Sequence, residues 1–159
     1  MTVKRRPKPV ERAAARLGAV QALYQMDLAG TDVGVTLAQF SSRAMGEDFE
    51  AGQCGEADYK FLKEVVDGAV REQKTIDPAV DAILDKGWPL HRLDATVRAI
   101  LRAGAYELMF MEKVPARVAI SQYVDVAGAF FEAEEPKFIN GVLDRLARQR
   151  RPDEFSQSL

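Results

Sequence analysis

Six cations in the first sixteen residues are the side chains best placed to bind a ligand. They are Lys4, Arg5, Arg6, Lys8, Arg12 and Arg16. Only Glu11 opposes them, so this segment carries a net charge of +5 in a chain whose total is -2, and the remaining residues sum to -7. A basic end on an acidic body is typical of a protein that binds a polyanion at one place and repels it elsewhere. A solvated basic arm that only aids solubility would explain the same charges equally well.

No catalytic or metal-binding pattern accompanies these cations. The sequence contains no G-x-G-x-x-G, G-x-x-x-x-G-K, H-E-x-x-H or C-x-x-C motif. One histidine, His91, and one cysteine, Cys54, are too few for a zinc or thiol site, and a single cysteine cannot form an internal disulfide. We therefore predict a binding protein without metal or cofactor, and not an enzyme.

Composition limits the class of protein further. The chain has 159 residues, 47% of them hydrophobic and 29% charged, which suits one domain with a sizeable core. No segment approaches the ~18 uncharged apolar residues of a membrane helix, and the N-terminus lacks the apolar core of a signal peptide. An Arg-rich transit peptide would fit residues 4–16, but the helical pattern continues without a break from Leu17. We expect a cytoplasmic protein that does not enter a membrane.

Apolar residues recur at helical spacing along most of the chain, and no β alternation is found. The pattern predicts an all-α fold, a single domain of about seven helices. Asp77 and Pro78 are expected to begin the fourth helix as its cap and first-turn residue. The predicted helices cover residues 10–28, 35–45, 57–73, 77–86, 91–111, 116–131 and 137–150, with an acidic loop at 46–55 between the second and the third.

The stretch 91–111 is the most strongly patterned of these helices. Its apolar residues form two stripes separated by a narrow band that holds Arg98 and Arg102. A helix with two apolar faces is expected to lie between other helices, so we interpret it as the centre of the fold. Gly104 costs about 1 kcal/mol relative to alanine in a helix interior, which indicates either a close backbone crossing or a tolerated glycine. The two arginines could form a charge pair inside the bundle or face a partner.

Two other positions carry local predictions. Arg12 and Arg16 are four residues apart, so they share a helix face and would extend the basic arm onto ordered structure. Tyr24, near the end of the same helix, could be a core residue or a platform for a base, and the residues alone favour the core. Asn140-Gly141 lies within helical spacing, so we interpret it as a close-packing notch and not as a hairpin turn.

Five segments, in order, carry a resemblance to a known family. They are ARLGAVQALYQMDL (15–28), FLKEVVDGA (61–69), ILRAGAYEL (100–108), VPARVAISQYVDVA (114–127) and KFINGVLDRLA (137–147). They resemble the NusB family of bacterial transcription antitermination factors. The resemblance implies a helical domain at 10–150 made of two packed bundles, N-terminal at about 10–74 and C-terminal at about 76–150. A flexible basic arm at 1–9 would precede this domain, and a disordered tail at 151–159 would follow it.

The resemblance also implies a function and partners. A protein of this family binds boxA RNA as a heterodimer with the ribosomal protein NusE, joins elongating RNA polymerase with other Nus factors and supports transcription of ribosomal RNA. Some ribosomal RNA cytosine methyltransferases carry the same fold as an N-terminal RNA-binding part, but no catalytic domain is expected here. A helical protein-interaction scaffold and a stand-alone RNA-binding module are the alternatives. Whether the free protein is a monomer or a homodimer is left open.

The family's binding residues can be placed on this sequence. Lys and Arg side chains would hold phosphates, and aromatic rings would stack on bases. For the protein partner we choose Arg92, Asp94 and Arg98, as positions expected to be exposed near the start of the central helix. The family's basic RNA-binding segment is matched by Arg5, Arg6, Arg12 and Arg16, and because alanines fill part of it, Lys4 and Lys8 of the arm would compensate. The other residues that the resemblance implies for RNA are Tyr24, Phe130, Glu134, Lys137 and Phe138. Phe138 could instead be a residue at the rim of the core.

Overall fold

The computed structural model describes residues 9–44 and 56–156. Over these ranges the chain forms α-helices joined by short turns and 3₁₀ turns at Leu90–Arg92 and Pro152–Glu154, and it contains no strand. The helices are α1 (Pro9–Ala29), α2 (Val33–Ala44), α3 (Glu56–Arg71), α4 (Gln73–Asp81), α5 (Ala95–Phe110), α6 (Ala116–Phe130) and α7 (Glu134–Arg150). The prediction of an all-α fold with seven helices is confirmed. None of these helices is long and apolar enough to cross a membrane.

Two bundles share α5. The first consists of α1, α2 and α3, which pack on one another, while α6 and α7 pack together in the second. Helix α5 contacts α1 and α3 of the first bundle, α6 and α7 of the second, and also α4. Both of its apolar stripes are accordingly buried, from Val97 to Leu108. The predicted central helix is thus confirmed, and one continuous apolar core runs through both bundles.

Gly104 allows side chains, not backbone, to approach α5. A Cβ atom at this position would lie 2.9 Å from a methyl carbon of Leu143 on α7 and 3.4 Å from the ring of Tyr123 on α6. The notch predicted at Gly141 is wrong, because no heavy atom outside its own helix lies within 4 Å of a Cβ built there. Ile139 and Val142 lie on the buried face of α7, whereas Gly141 is exposed to solvent.

Helix α4 begins four residues earlier than predicted. It starts at Gln73, directly after Glu72, and Pro78 lies inside it and not in its first turn. The predicted cap at Asp77 is wrong, because both of its carboxylate oxygens accept hydrogen bonds from Arg102 of α5, at 3.0 and 2.9 Å. A long-range ion pair between helices therefore replaces the local capping interaction that the sequence suggested.

Residues 151–156 are ordered, although the sequence placed them in a disordered tail. They form a 3₁₀ turn that begins after the buried side chain of Arg151. The guanidinium of Arg151 donates to backbone carbonyls at the end of α5 and in the turn that follows, where carbonyl groups lack helical partners. These carbonyls belong to Glu107 (2.8 Å), Leu108 (2.9 Å), Met111 (2.8 Å) and Val114.

The predicted acidic loop 46–55 lies outside the described residues, as do the four arm cations Lys4, Arg5, Arg6 and Lys8. The α1 cation Arg12 and the residues that follow it can be placed, and the candidate site is built from them.

Candidate nucleic-acid interface

Arg12 lies at the start of α1 and stacks on an aromatic ring of α3. Its guanidinium carbon is 4.3 Å from the ring centroid of Phe61, a distance suited to a cation–π interaction. Its side chain is half-buried, and its Nε atom is buried without a hydrogen-bond partner among the described residues. The ring fixes the position of this cation without using its hydrogen-bond donors.

Arg16, one turn further along α1, is buried and only 3% exposed. Its Nε and Nη2 atoms each donate to a carboxylate oxygen of Glu107 on α5, both at 2.9 Å. Its Nη1 donates to the side-chain oxygen of Gln122 on α6 at 3.3 Å. Arg12 and Arg16 share a helix face as predicted, since both guanidinium groups lie over the ring of Phe61, but the prediction that Arg16 extends the basic arm is wrong because its charge is buried and paired. Helix α1 is packed between α3, α5 and α6. Arg12 therefore lies at the edge of this packing, and Arg16, one turn further along the helix, lies in its interior.

The pKa values around Glu107 follow from this burial. Burial disfavours the charged form of Arg16, but the hydrogen bond and the charge of Glu107 outweigh it, and the pKa of the guanidinium rises. Burial, and then the charge of Glu107, raise the pKa of Tyr123 well above its ordinary value of 10.0. Tyr123 stays protonated and donates its hydroxyl hydrogen to the same carboxylate. Glu107 thus joins α1, α5 and α6, and Arg16 is a structural ion.

A cleft separates the start of α1 from the first turn of α6. Its volume is about 310 Å³. Arg12 lies beside Pro115 and Val118, and no carboxylate is among the described residues that line it. We call this hollow the cationic cleft, and its lining residues are Arg12, Arg16, Lys113, Val114, Pro115, Val118 and Gln122.

Tyr24 lies on an exposed part of α1, with 39% of its surface accessible. The interpretation of Tyr24 as a core residue is therefore wrong. Twelve residues separate it from Arg12, which corresponds to about 18 Å along an α-helix. At 3.6 residues per turn the two side chains point about 120° apart around the axis of α1, so a strand of several nucleotides that contacts both would have to wind partway around the helix.

Glu134 and Phe138 lie in a different hollow, between the start of α7 and the start of α5. It measures about 490 Å³, and Phe138 is 41% exposed beside Trp88, which is 63% exposed. Carboxylates ring these aromatic side chains, so the hollow repels phosphate groups. We call it the acidic groove, and its lining residues are Leu84, Asp85, Trp88, Leu93, Asp94, Val97, Glu134, Glu135 and Phe138. The structure does not bring Glu134 and Phe138 together with Arg12.

The two other residues implied for RNA, Phe130 and Lys137, line neither of these hollows. Phe130 is exposed at the end of α6, where its ring centroid is 6.5 Å from that of Phe131. Lys137 is exposed in the first turns of α7. Neither residue lines the cationic cleft. The implied set is therefore spread over α1, α6 and α7.

Arg98 and Arg102 form ion pairs inside the protein. Arg98 binds Asp27 of α1 at 2.7 Å and donates to the backbone oxygen of Leu93 at 2.8 Å, and its side chain is only 14% exposed. Arg102 pairs with Asp77 of α4. The alternative of a charge pair within the bundle is therefore the correct one, and Arg98 does not offer a free guanidinium to a partner.

The other two residues chosen for a protein partner are accessible. Asp94 lines the acidic groove and caps α5, accepting hydrogen bonds from the backbone nitrogens of Thr96 at 2.8 Å and Val97 at 3.2 Å. Arg92 is exposed in the 3₁₀ turn before it.

Sequence reasoning missed Trp88, Lys113 and Arg151. The sequence did contain a signal for Trp88. Its neighbours Gly87 and Pro89 indicate a connector after the preceding helix, where an aromatic side chain can be exposed. Lys113 had no signal of its own, since one lysine in a turn is ordinary. Arg151 had none either, because its partners are carbonyl groups that lie about 40 residues earlier, with separations of 37 to 44 positions.

Comparison with known proteins supports this description. Residues 13–148 match the model of the NusB family. A protein of Rhodopseudomonas palustris named "Transcription antitermination protein NusB" is 51% identical over 158 residues, covering 99% of this chain and 91% of that protein.

Solved structures agree with the fold. NusB of T. maritima superposes with a TM-score of 0.79 at 25% identity, covering 94% of this chain and 99% of the other. A structure described as the antitermination factors NusB and NusE in complex with double-stranded RNA contains a chain that matches with a TM-score of 0.75 at 29% identity, covering 89% of this chain and 99% of that one.

Proposed function

Because the chain belongs to the NusB family, we propose that it is a transcription antitermination factor that binds boxA RNA together with NusE. In this role it joins elongating RNA polymerase with other Nus factors and supports transcription of ribosomal RNA. The protein acts by binding alone and performs no chemistry on the RNA. A relative named as an antitermination protein and a similar chain solved with NusE and RNA support the proposal.

The observation that carries the RNA part is the placement of Arg12. Its guanidinium is held against Phe61 in a cleft whose described lining contains no carboxylate. A cation fixed in this way loses little side-chain entropy when it binds a phosphate. The arm cations Lys4 to Lys8 would add contacts next to it. Tyr24 would stack on a base further along α1, worth about 1–3 kcal/mol.

The acidic groove suits the protein partner better than the RNA. Trp88 and Phe138 offer exposed rings, while Asp85 and Glu135 at the rim favour cations. A segment of NusE with an apolar side chain beside lysine or arginine would complement both features. This assignment retains Asp94 among the partner residues and replaces Arg98, which is engaged with Asp27. It also assigns Glu134 and Phe138 to the partner surface.

A gel shift with boxA RNA, with and without NusE, tests the proposal. With about four neutralised phosphates, log affinity should fall against log salt with a slope near -3, at ~0.7 per contact on a single strand. Arg12→Ala should weaken binding, whereas Arg145→Ala, at an exposed position of α7, is the matched control. Equal binding to a scrambled RNA would leave only a nonspecific basic arm. No binding even with NusE present would favour the helical scaffold.

A further inference from the structure

The cationic cleft has a second wall, which no predicted RNA contact occupies. It consists of the turn between α5 and α6 and the first turn of α6. Lys113 stands in this turn with an exposed side chain. Arg12 lines the opposite wall, on α1. Two cations from distant parts of the chain therefore line one hollow.

The turn that carries Lys113 is braced from both sides. Its own backbone closes with a hydrogen bond from Val114 N to Met111 O at 3.0 Å. Arg151 donates to the backbone oxygens of the same two residues. Glu154 accepts a hydrogen bond from the backbone nitrogen of Ala116 at 2.8 Å, where α6 begins. The C-terminal turn thus holds the backbone under Lys113 in place, so binding does not have to order it.

The charges inside the cleft favour an anion. Arg16 also lines it, but Glu107 neutralises that guanidinium from the buried side. The uncompensated charges within the described lining are those of Arg12 and Lys113. Gln122 contributes a side-chain amide, whereas the N-terminus of α6 is already occupied by the carboxylate of Glu154. The cleft therefore presents cations and donors from two walls.

We propose that Arg12 and Lys113 together form a subsite for one phosphate of the RNA backbone, clamped between α1 and the α5–α6 turn. The subsite rests on the proposed function and adds a contact to it. A strand that enters here would run along α1 toward Tyr24. Arg12 binds through its planar guanidinium and Lys113 as a point charge, so the two approach the phosphate from different sides.

Measuring RNA affinity against salt for Lys113→Ala tests this subsite. We expect affinity to fall several-fold and the slope of log affinity against log salt to become shallower by about 0.7, the value of one single-strand phosphate contact. Lys113→Arg should restore both. Lys74→Ala is the control, because this lysine is equally exposed but lies on α4. Thermal unfolding followed by circular dichroism checks that each variant is folded.

A double-mutant cycle identifies the shared phosphate. If Arg12 and Lys113 hold the same group, the double alanine variant should lose less affinity than the two single losses combined. An unchanged affinity and slope for Lys113→Ala, in a wild-type protein that binds boxA RNA, would overturn the subsite and leave the proposed function standing. Absence of RNA binding by the wild type, with NusE present, would overturn both. Fully additive losses would show two separate phosphate contacts and would also overturn the clamp.

Discussion

The cationic cleft and the acidic groove lie at opposite ends of α5 and use carboxylates in opposite ways. In the cleft, Glu107 is buried and neutralises Arg16, which leaves Arg12 and Lys113 to set the surface charge. In the groove, the carboxylates line the hollow itself. The sign of each surface therefore depends on which charges the core takes up, and residue counts alone do not reveal it.

Helix α5 separates the two surfaces. Its 16 residues correspond to about 24 Å. At each end of α5 the free backbone groups form hydrogen bonds with a side chain whose charge interacts favourably with the helix dipole. These side chains are Asp94 at the N-terminus and Arg151 at the C-terminus. The same helix thus supports an acidic surface at its positive end and a basic surface at its negative end. Under the proposed function, this arrangement would keep the RNA and a cationic segment of the partner apart on one small domain.

The largest expected effect comes from breaking the buried network behind the cleft. Glu107→Ala leaves Arg16 as an uncompensated buried charge, which typically destabilises a protein by about 3–5 kcal/mol. Urea unfolding followed by circular dichroism measures this loss. Glu134→Ala, at an exposed carboxylate of the groove, is the control and should change stability by less than about 0.5 kcal/mol. Similar losses in the two variants would mean that the surfaces do not differ as described.

The next effect should appear in partner binding at the groove. Trp88→Ala removes an exposed ring, and a tryptophan at the centre of an interface commonly contributes 2 kcal/mol or more, or ~30-fold in affinity. Calorimetric titration with NusE measures the loss. RNA binding by the variant in the absence of NusE should be unchanged, because Trp88 does not line the cleft. An unaltered affinity for NusE would remove the groove from the partner surface.

A smaller effect is expected at the N-terminal cap of α5. Asp94→Ala removes the acceptor for the backbone nitrogens of Thr96 and Val97, which costs typically ~1 kcal/mol. Asp94→Asn retains an acceptor and should recover most of this stability. If both variants also weaken NusE binding, the lost charge contributes to the groove. If only the alanine variant does, the cap acts through the position of α5.

The sequence predicted the number and arrangement of the helices more completely than it predicted which residues lie on the surface. The periodicity of apolar residues located the helices, and two apolar stripes were enough to identify α5 as the central helix. Both patterns are contained within a single stretch of sequence, so no knowledge of the other helices is needed to find them. The start of α4 was wrong because Asp77 has a partner on α5. Arg16 was placed on the surface because helical spacing shows which residues share a face, but not which other helices cover that face.

The resemblance was similarly informative about the family and less so about the site. It identified Arg12 and Tyr24, which the structure places on accessible parts of one helix. It grouped Glu134 and Phe138 with them, although these two residues line the acidic groove. The second wall of the cleft depends on Arg151, whose role is visible only when α5 and the C-terminal turn are brought together in space.

The smallest expected effect is a pH dependence of the free energy of unfolding. It concerns Glu154, whose carboxylate helps to hold the turn beneath the cleft, in comparison with the exposed carboxylates of the groove. The hydrogen bond from the backbone of Ala116, assisted by Arg151, lowers the pKa of Glu154 below its ordinary value of 4.5. The folded protein therefore holds the charged form more strongly than the unfolded chain does. The stability from this group is fully present above pH 4.5 and is lost as the pH falls from there through the lowered pKa.

Glu154→Gln should therefore be less stable than the wild type at pH 7, and the difference should shrink below pH 4.5. Urea unfolding of both proteins at several pH values between 7 and 3 measures it. Asp85→Asn, which removes a groove carboxylate for which the structure gives no such backbone bond, is measured in parallel as the comparison. A constant difference for Glu154→Gln across this range would mean that the carboxylate acts only as a neutral acceptor. The charge of Glu154 would then contribute nothing to the brace under Lys113.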